Sequence, residues 1–292
     1  MPELGVIGVS GWKSMGPQWD KYTPPVRPSE QDMLTIRERL ERVLAETGAT
    51  EERRAQVLVL GSTPETRNML AGLPNVRVTL MDYMLQMTVA MTEMVTADPF
   101  DEVWIKGDWL NAPLPEHYFD AVISDLVLSN LPPAKHAGLV DRVHTALKPT
   151  GRWLNRTDCV DVNSRIEDLD ALLDRFLLIE EPTQADICSL RCAAGLRHWD
   201  RESSFLSWAD LGRELEKYRD DTGFVHPDPR ANRLLEGLWE VTAPFDKPYW
   251  LRTKEDLEEE LGRRFRIEHE VRDVTVLQHH ERGYYFYDLA PR

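Results

Sequence analysis

Apolar residues follow two patterns along the chain, short continuous runs and longer stretches with helical spacing. Between residues 55 and 157 the two patterns alternate. The expected strands lie at 56–60, 76–81, 102–106, 119–124 and 151–157, and the expected helices at 64–72, 84–96 and 133–147. Asp, Gly or Pro bounds the apolar runs, which is typical of strands buried on both faces. This alternation predicts a doubly wound α/β domain with a mostly parallel sheet.

The segments on either side of this core have other patterns. Prolines crowd residues 1–30 and exclude a regular helix, whereas Ser29 is a suitable N-cap for a helix over 30–47. Helical spacing returns at 166–179, 203–219 and 229–240, and a further helix is expected after Thr253. The last residues alternate as two strands joined by a short turn. They predict an antiparallel hairpin at the end of the sheet.

Three parts follow from these patterns. Residues 1–50 are expected to form an N-terminal arm and first helix. Residues 51–159 and 251–292 are expected to form the α/β core. Residues 160–250 are expected to form a helical insertion that caps the substrate over the carboxyl edge of the sheet.

Composition excludes several classes of function. The chain has 292 residues with 35 basic and 50 acidic side chains, and its net charge of −15 would repel nucleic acid or an anionic membrane. No apolar run reaches the roughly 18 residues of a membrane span, and the N-terminus lacks a secretory pattern. Three cysteines do not indicate a disulfide framework. We therefore expect a cytoplasmic protein that binds neither nucleic acid nor a membrane.

The residues that suggest a cofactor follow the first two strands. Gly61 ends the first apolar run, and Asp82 closes the second, about twenty residues later, where an acid binds ribose hydroxyls in nucleotide-binding α/β domains. A pyrophosphate needs close backbone approach at three glycines, but Thr63 and Glu65 carry side chains at neighbouring positions. A nucleoside without a pyrophosphate is therefore favoured, and S-adenosylmethionine fits that description.

At this point the chain resembles the class I S-adenosylmethionine-dependent methyltransferases, over about residues 55–157. Five segments are similar to the motifs of that family and occur in the same order, at 57–65, 80–87, 106–109, 119–125 and 147–152. The first segment departs from the family, which usually has further glycines and an acidic residue there. The resemblance implies a Rossmann-like methyltransferase fold with a mostly parallel seven-stranded sheet, and S-adenosyl-L-methionine as the cofactor.

The resemblance also implies contacts for individual residues. Asp82 would hold the ribose hydroxyls, Asp108 would accept from the adenine amino group, and Asp125 would lie near the methionine end. Tyr22 and Arg27 of the arm would cover the methionine half, with the guanidinium on the cofactor carboxylate. The full set of expected cofactor-binding residues is Gly61, Thr63, Asp82, Tyr83, Met84, Gly107, Asp108, Trp109, Asp125, Leu126, Tyr22 and Arg27.

Each of these residues also has a purely structural explanation. Asp82 could be a turn acid, and Asp108 could cap a helix through Asn111. Trp109 could belong to the core, and Asp125 could cap the turn that follows it. The aromatic residues of the arm could simply fill the edge of the sheet.

A catalytic base is optional for methyl transfer, because in-line displacement depends mainly on holding the nucleophile near the methyl carbon in a dry pocket. Nucleophiles that lose a proton benefit from a base, and His198 and His226 are the candidates, although each could be an ordinary surface histidine. Cys188, Cys192 and His198 lack the spacing of a zinc site, so no metal is expected.

We expect methyl transfer to a nitrogen or oxygen, less readily to a carbon, of a small-molecule acceptor. One alternative is a protein of the same fold that binds S-adenosylmethionine without transfer. Another is a nicotinamide-dependent oxidoreductase, which the missing glycines disfavour. A homodimer built through the insertion or the arm is compatible with the sequence.

Overall fold

The computed structural model describes residues 16–98, 101–161, 166–243, 247–272 and 282–292. The chain divides into two compact units. The sheet unit takes in the described residues among 30–157, 255–272 and 284–292. The helical unit takes in those among 1–29, 158–254 and 273–283.

The described residues contain nine strands, seven of which form the sheet that the apolar runs predict. They are β1 Ala55–Leu60, β2 Val76–Asp82, β3 Glu102–Lys106, β4 Phe119–Asp125, β5 Leu147–Val160, β6 Phe205–Leu206, β7 Tyr249–Trp250, β8 Phe265–Arg272 and β9 Arg282–Pro291. In the described residues, β6 and β7 form a separate antiparallel pair, and the others form a seven-stranded sheet in the order β3-β2-β1-β4-β5-β9-β8. The pairings among β1 to β5 are parallel, and β8 and β9 are antiparallel. The fold class expected from the sequence is confirmed.

Helices flank these strands along the chain. They are α1 Glu30–Thr47, α2 Pro64–Ala71, α3 Leu85–Glu93, α4 His136–Ala146, α5 Leu169–Phe176, α6 Gln184–Gly195, α7 Trp208–Thr222, α8 Pro229–Thr242 and α9 Lys254–Gly262. Short 3-10 helices occur at Gly16–Lys21, Leu128–Asn130, Pro133–Lys135 and Leu196–His198. Within the described ranges, no helix combines the length and the apolar character that a bilayer crossing needs.

Some boundaries differ from the expected ones for local reasons. The helix expected at 203–219 begins at Trp208, because Phe205–Leu206 pair with β7 and the Ser207 hydroxyl accepts from the Asp210 N–H at 3.2 Å. The fifth strand begins at Leu147, where 151 was expected, and a register irregularity separates its first pairing from the next. The short turn expected between the last two strands lies at 273–281, outside the described residues.

Helix α6 was missing from the expected helices. Its residues from Ile187 to Gly195 are all buried, so they present no apolar stripe with a polar opposite face. The local sequence signal is the capping box at its start, in which the Thr183 N–H and hydroxyl both contact the Asp186 carboxylate. A helix buried all round is therefore the kind that periodicity does not detect.

The core of the sheet unit explains where α1 lies. Ile36, Leu40 and Leu44 are spaced by one helical turn and belong to one buried cluster with Val57 and Val59 of β1. Burying each such side chain contributes about 1.5–3 kcal/mol, so the apolar face of α1 holds the helix in this unit. The expectation joined this helix to the N-terminal arm, whereas the structure groups it with the sheet. The roles of residues 1–50 as a cover and 160–250 as a substrate cap stay predictions.

A buried ion pair joins three elements of the sheet unit. The Arg67 guanidinium of α2 donates through Nε and Nη2 to both carboxylate oxygens of Glu102 in β3, at 2.9 and 2.7 Å. Its Nη1 donates to the Thr92 hydroxyl of α3 at 2.9 Å. The Arg67 and Glu102 side chains are only 3% and 7% exposed. Water therefore does not solvate either charge, and each side chain neutralises the charge of the other.

Replacing Arg67 tests how much this pair matters. Arg67→Met leaves the Glu102 charge buried without its partner, so the free energy of unfolding should fall by about 3–5 kcal/mol in urea denaturation. The control is Arg37→Met in the exposed Arg37–Glu41 pair of α1, whose side chains are 45% and 51% exposed. That change should cost at most about 1 kcal/mol. Equal effects of the two substitutions would contradict the prediction.

Candidate functional site

The loop after β1 requires a glycine for its backbone shape. Gly61 has a φ of +105°, a conformation that L side chains rarely adopt, and its N–H donates to the Met81 carbonyl at 2.8 Å. A Cβ built on Gly61 would have nothing within 4 Å. The surface beside Gly61 is therefore open, and Pro64 begins α2 three residues later.

Asp82 ends β2 beside this loop, where two hydrogen bonds orient its carboxylate. The Ser62 hydroxyl donates to Oδ2 at 3.0 Å, and the Met84 N–H donates to Oδ1 at 2.9 Å. The next residue, Tyr83, is 50% exposed, whereas Met84 is buried. An oriented acid therefore lies beside an open glycine and an exposed ring, and the ribose and adenine roles of these residues stay predictions.

The turn after β3 lies against the same edge of the sheet. The Gly107 N–H donates to the Asp82 carbonyl at 3.0 Å, and the Trp109 indole N–H donates to the Met81 carbonyl at 2.9 Å. Asp108 is held by its own turn, because Oδ1 accepts from the Leu110 N–H at 3.0 Å and Oδ2 from the Asn111 amide at 2.6 Å. These bonds give Asp108 a structural role in a turn, but no helix for it to cap lies between β3 and β4 in the described residues. Its contact with adenine stays a prediction.

The end of β4 carries a strained residue. Leu126 has a φ of +53°, which costs a residue with a Cβ about 1–2 kcal/mol. Its N–H donates to the Arg156 carbonyl at 2.8 Å, and its carbonyl accepts from the Asn130 amide at 2.6 Å. Such strain often occurs where a loop is shaped for a ligand, and Leu126 is one of the residues expected to bind the cofactor.

Asp125, which precedes Leu126, is paired with a buried cation. Arg156 of β5 donates from Nη1 to Asp125 Oδ1 at 2.8 Å and from Nε to Asp32 Oδ2 of α1 at 3.0 Å. Burial raises the pKa of the Asp125 carboxyl to about 6, although Arg156 opposes the shift, and the negative charges of Glu65 and Asp32 add to it. Asp125 is therefore a carboxylate whose charge at neutral pH depends on its neighbours.

These contacts gather most of the expected residues at one edge of the sheet unit. Gly61, Asp82, Gly107 and Trp109 are linked directly or through Met81, and Asp125 ends the strand on the other side of β1. Sequence reasoning did not include Ser62, Asp32 or Arg156 among the site residues. Ser62 lies within the first motif, whereas the pairs that Arg156 forms have no local sequence signal.

Tyr22 and Arg27 belong to the helical unit. Tyr22 is buried, its hydroxyl donates to the Val241 carbonyl at 3.2 Å, and burial raises its pKa. Arg27 donates from Nη1 to the Tyr22 carbonyl at 3.4 Å. These contacts hold the arm within its own unit. The role of both residues over the cofactor stays a prediction.

The two candidate bases differ in their hydrogen bonds. His198 Nε2 lies 2.7 Å from Glu214 Oε2, and Arg197 binds the other oxygen of that carboxylate at 2.7 Å. His226 Nδ1 accepts from the Asp228 N–H at 3.0 Å, so it serves a turn at the start of α8. In the part of the chain that the structure describes, no group of three or more His, Cys, Asp or Glu residues could hold a metal ion.

The strand order, the single glycine and the anchored acid after β2 together define a class of protein. They are the features of a Rossmann-like domain that binds a nucleoside without a pyrophosphate. The model of the methyltransferase domain family matches residues 60–151, from the end of β1 into β5. Within these residues the resemblance to the S-adenosylmethionine-dependent methyltransferases, which was expected over about 55–157, is confirmed.

Solved structures are similar to nearly the whole chain. A protein of Pyrococcus horikoshii OT3 is 16% identical, with 94% of this chain and 99% of that one covered and a TM-score of 0.50. A Rhodobacter sphaeroides protein, described as a candidate zinc-dependent alcohol dehydrogenase, is 15% identical, with 97% and 96% covered and a TM-score of 0.53. At these identities the likeness shows the fold alone.

A third structure has a lower score. It is the 1,6-didemethyltoxoflavin-N1-methyltransferase of Burkholderia thailandensis, 13% identical, with 96% of this chain and 88% of that one covered and a TM-score of 0.48. No curated protein matches the chain in sequence.

The backbone of Gly61 can be tested apart from any ligand. Gly61→Ala should lower the free energy of unfolding by about 1–3 kcal/mol, because alanine is strained at this φ although its Cβ would touch nothing. Gly262→Ala at the end of α9 is the matched control, because it lies in the same unit and its Cβ would also touch nothing.

The two glycines differ in that Gly262 is not among the positive-φ glycines. Alanine there should leave the stability unchanged or raise it by up to about 1 kcal/mol. Thermal or urea unfolding measures both variants. A shift of equal size and sign in the two would mean that the φ of Gly61 is not the constraint.

Proposed function

We propose that the chain is an S-adenosylmethionine-dependent methyltransferase that acts on a nitrogen or oxygen, less readily a carbon, of a small-molecule acceptor. The observation that carries the proposal is the anchored Asp82 carboxylate beside the open face of Gly61. Both lie within the segment that matches the methyltransferase domain. This pair can bind a ribose against the backbone, and it lacks the further glycines that a pyrophosphate needs.

The residues present fit the cofactor of this class. A side chain at Gly61 would occupy the space beside the loop, which glycine leaves open. Asp82 would accept from the ribose hydroxyls, Tyr83 would offer its ring to the adenine, and Asp125 would attract the ammonium group of the methionine part. When bound, S-adenosylmethionine supplies an electrophilic methyl group on a sulfonium. In transfer, the bond from carbon to sulfur would break as the bond to the acceptor formed, and its electron pair would stay on sulfur.

A small-molecule acceptor agrees with the charge of the chain. The net charge of −15 disfavours a nucleic acid acceptor, because its phosphates would be repelled. A neutral or cationic small molecule has no such penalty.

Of the two histidines, His198 fits the role of a base better. Glu214 binds Nε2 of His198, which favours the tautomer whose Nδ1 can accept a proton. His226 already uses Nδ1 to accept a backbone N–H, so taking up a proton there would break its turn. We therefore propose His198 as the residue that removes a proton from an acceptor that must lose one.

Titration calorimetry tests the cofactor assignment. The wild-type chain should bind S-adenosylmethionine and S-adenosylhomocysteine but not NAD, and Asp82→Ala should weaken both by about 10-fold or more, since bonds to a charged acceptor contribute about 1.5–3 kcal/mol. Asp101→Ala, an exposed acid just before β3, is the control and should leave both affinities unchanged. Binding of NAD alone, or an unchanged affinity in Asp82→Ala, would refute the assignment.

Mass spectrometry tests transfer and the base. Acceptors from a panel of small amines, phenols and carboxylic acids are scored for the gain of one methyl group. With a responding acceptor, His198→Gln should lower kcat by about 100-fold near neutral pH, the lower end of the usual gain from a general base. His226→Gln should change it less than threefold. Equal kcat in both variants and the wild type would exclude His198 as the base.

A further inference from the structure

Arg156 is a fully buried cation that links two carboxylates from distant parts of the sheet unit. It lies in β5, and its side chain contacts Asp125 at the end of β4 and Asp32 in the first turn of α1. Its guanidinium carbon is 5.0 Å from the centre of the Tyr284 ring in β9. The side chain is 1% exposed, and its two acidic partners are 9% exposed.

Asp125 lies near two other acidic side chains. Asp32 and Asp125 both contact Arg156, and Glu65 at the start of α2 is near enough to raise the pKa of Asp125. A buried carboxylate without a cation would take up a proton at neutral pH. Arg156 is therefore the group that keeps Asp125 charged.

Arg156 also determines the position of the Asp125 segment. Its guanidinium binds only Oδ1 of Asp125, and its own carbonyl accepts the N–H of the strained Leu126. Oδ2 of Asp125 has no hydrogen-bond partner among the residues that the structure describes. One residue of β5 thus fixes both the carboxylate and the backbone beside it, while one carboxylate oxygen is left for a ligand.

The strand order indicates which group of the cofactor that oxygen would meet. Asp82 ends β2 and Asp125 ends β4, and both strands flank β1. Strands two places apart are separated by about 10 Å. A ribose held at Asp82 would place the amino-acid part of the same molecule on the far side of β1. In that part the α-ammonium group is the cationic donor, and it is the natural partner of a carboxylate.

We propose that Arg156 is a positioning residue for the cofactor, which holds the Asp125 carboxylate so that its remaining oxygen accepts from the α-ammonium group of the methionine part. The proposal rests on the function proposed above. Asp32 belongs to the support, because it holds Nε of Arg156 and ties the device to α1.

Two ligands separate this role from a general structural one. S-adenosylhomocysteine carries the amino-acid part, and 5′-methylthioadenosine has the same nucleoside thioether without it. Calorimetry should show that Arg156→Met weakens S-adenosylhomocysteine by about 10-fold to 100-fold, the range of a charge-assisted hydrogen bond. The affinity for 5′-methylthioadenosine should change less than twofold, and it also reports that the site is folded.

Matched variants locate the effect. Asp125→Asn should reproduce the ligand-selective loss. Asp120→Asn, near the start of the same strand, is the control. It removes a buried carboxylate that pairs with Lys148 and not with Arg156, so the affinity for S-adenosylhomocysteine should stay within about threefold of the wild type. If Arg156→Met does not fold, Arg156→Lys keeps the charge without the fork that bridges both acids. Arg156→Lys should also weaken the binding of S-adenosylhomocysteine selectively, but by less than Arg156→Met.

The pH profile supplies a second readout. In the wild type, S-adenosylhomocysteine should bind more weakly as the pH falls through about 6, because Asp125 takes up a proton there. The groups that face Asp125 are Arg156 from β5, Asp32 from α1 and Glu65 from α2. Loss of Arg156 removes the one attraction among them. The midpoint should therefore move to higher pH in Arg156→Met, while 5′-methylthioadenosine binding stays flat.

The outcomes are distinct. An equal loss of both ligands, no loss of either, or an unmoved pH midpoint would overturn the positioning role. A wild-type chain that binds neither ligand would instead refute the proposed function. Selective loss of S-adenosylhomocysteine together with the shifted midpoint supports the assignment of Arg156.

Discussion

The register between β1 and its two neighbours is the constraint on which the candidate site depends. Leu60, the last residue of β1, pairs with Met81 of β2 and with Ser124 of β4. Because all three strands run in the same direction, Gly61, Asp82 and Asp125 follow one another across a single edge. A slip of one residue would reverse the direction of every side chain on a strand. The buried apolar residues on both faces of these strands therefore fix the positions of the polar groups at their ends.

The acids at this edge are held in different ways, which distinguishes their roles. Both oxygens of Asp108 are bound within its own turn, so a structural reason is enough to account for it. Asp82 is oriented by Ser62, which follows the end of a different strand. Asp125 depends on a buried cation and retains an oxygen without a partner among the described residues. A carboxylate that a distant residue orients and that retains an unbonded oxygen favours ligand binding at Asp125.

The sequence predicted those features whose pattern lies within one short segment, and it missed those that depend on contacts between distant residues. The strands are contiguous apolar runs, so the sheet and its terminal hairpin followed directly. Helix α6 has no exposed face and therefore no periodic signal. The sequence could have predicted Ser62 as a site residue, because it lies in the first motif. It could not have predicted the role of Arg156, since the partners of this residue are 31 and 124 positions away and only the folded chain brings them together. Apolar patterns identify elements, whereas pairs between distant charges depend on the fold.

The structure explains why a single glycine in the first motif is compatible with the proposed cofactor. The two further glycines that the motif lacks are needed for a pyrophosphate, which requires close approach of the backbone at three points. A nucleoside on a sulfonium needs one open turn and an acid for its ribose, and under the proposed function Gly61 and Asp82 would supply them. Pro64 then starts α2 at the position where its fixed φ suits a helix. The reduced motif is therefore compatible with transfer as well as binding, because the glycines it lacks have no part in displacing a methyl group from sulfur.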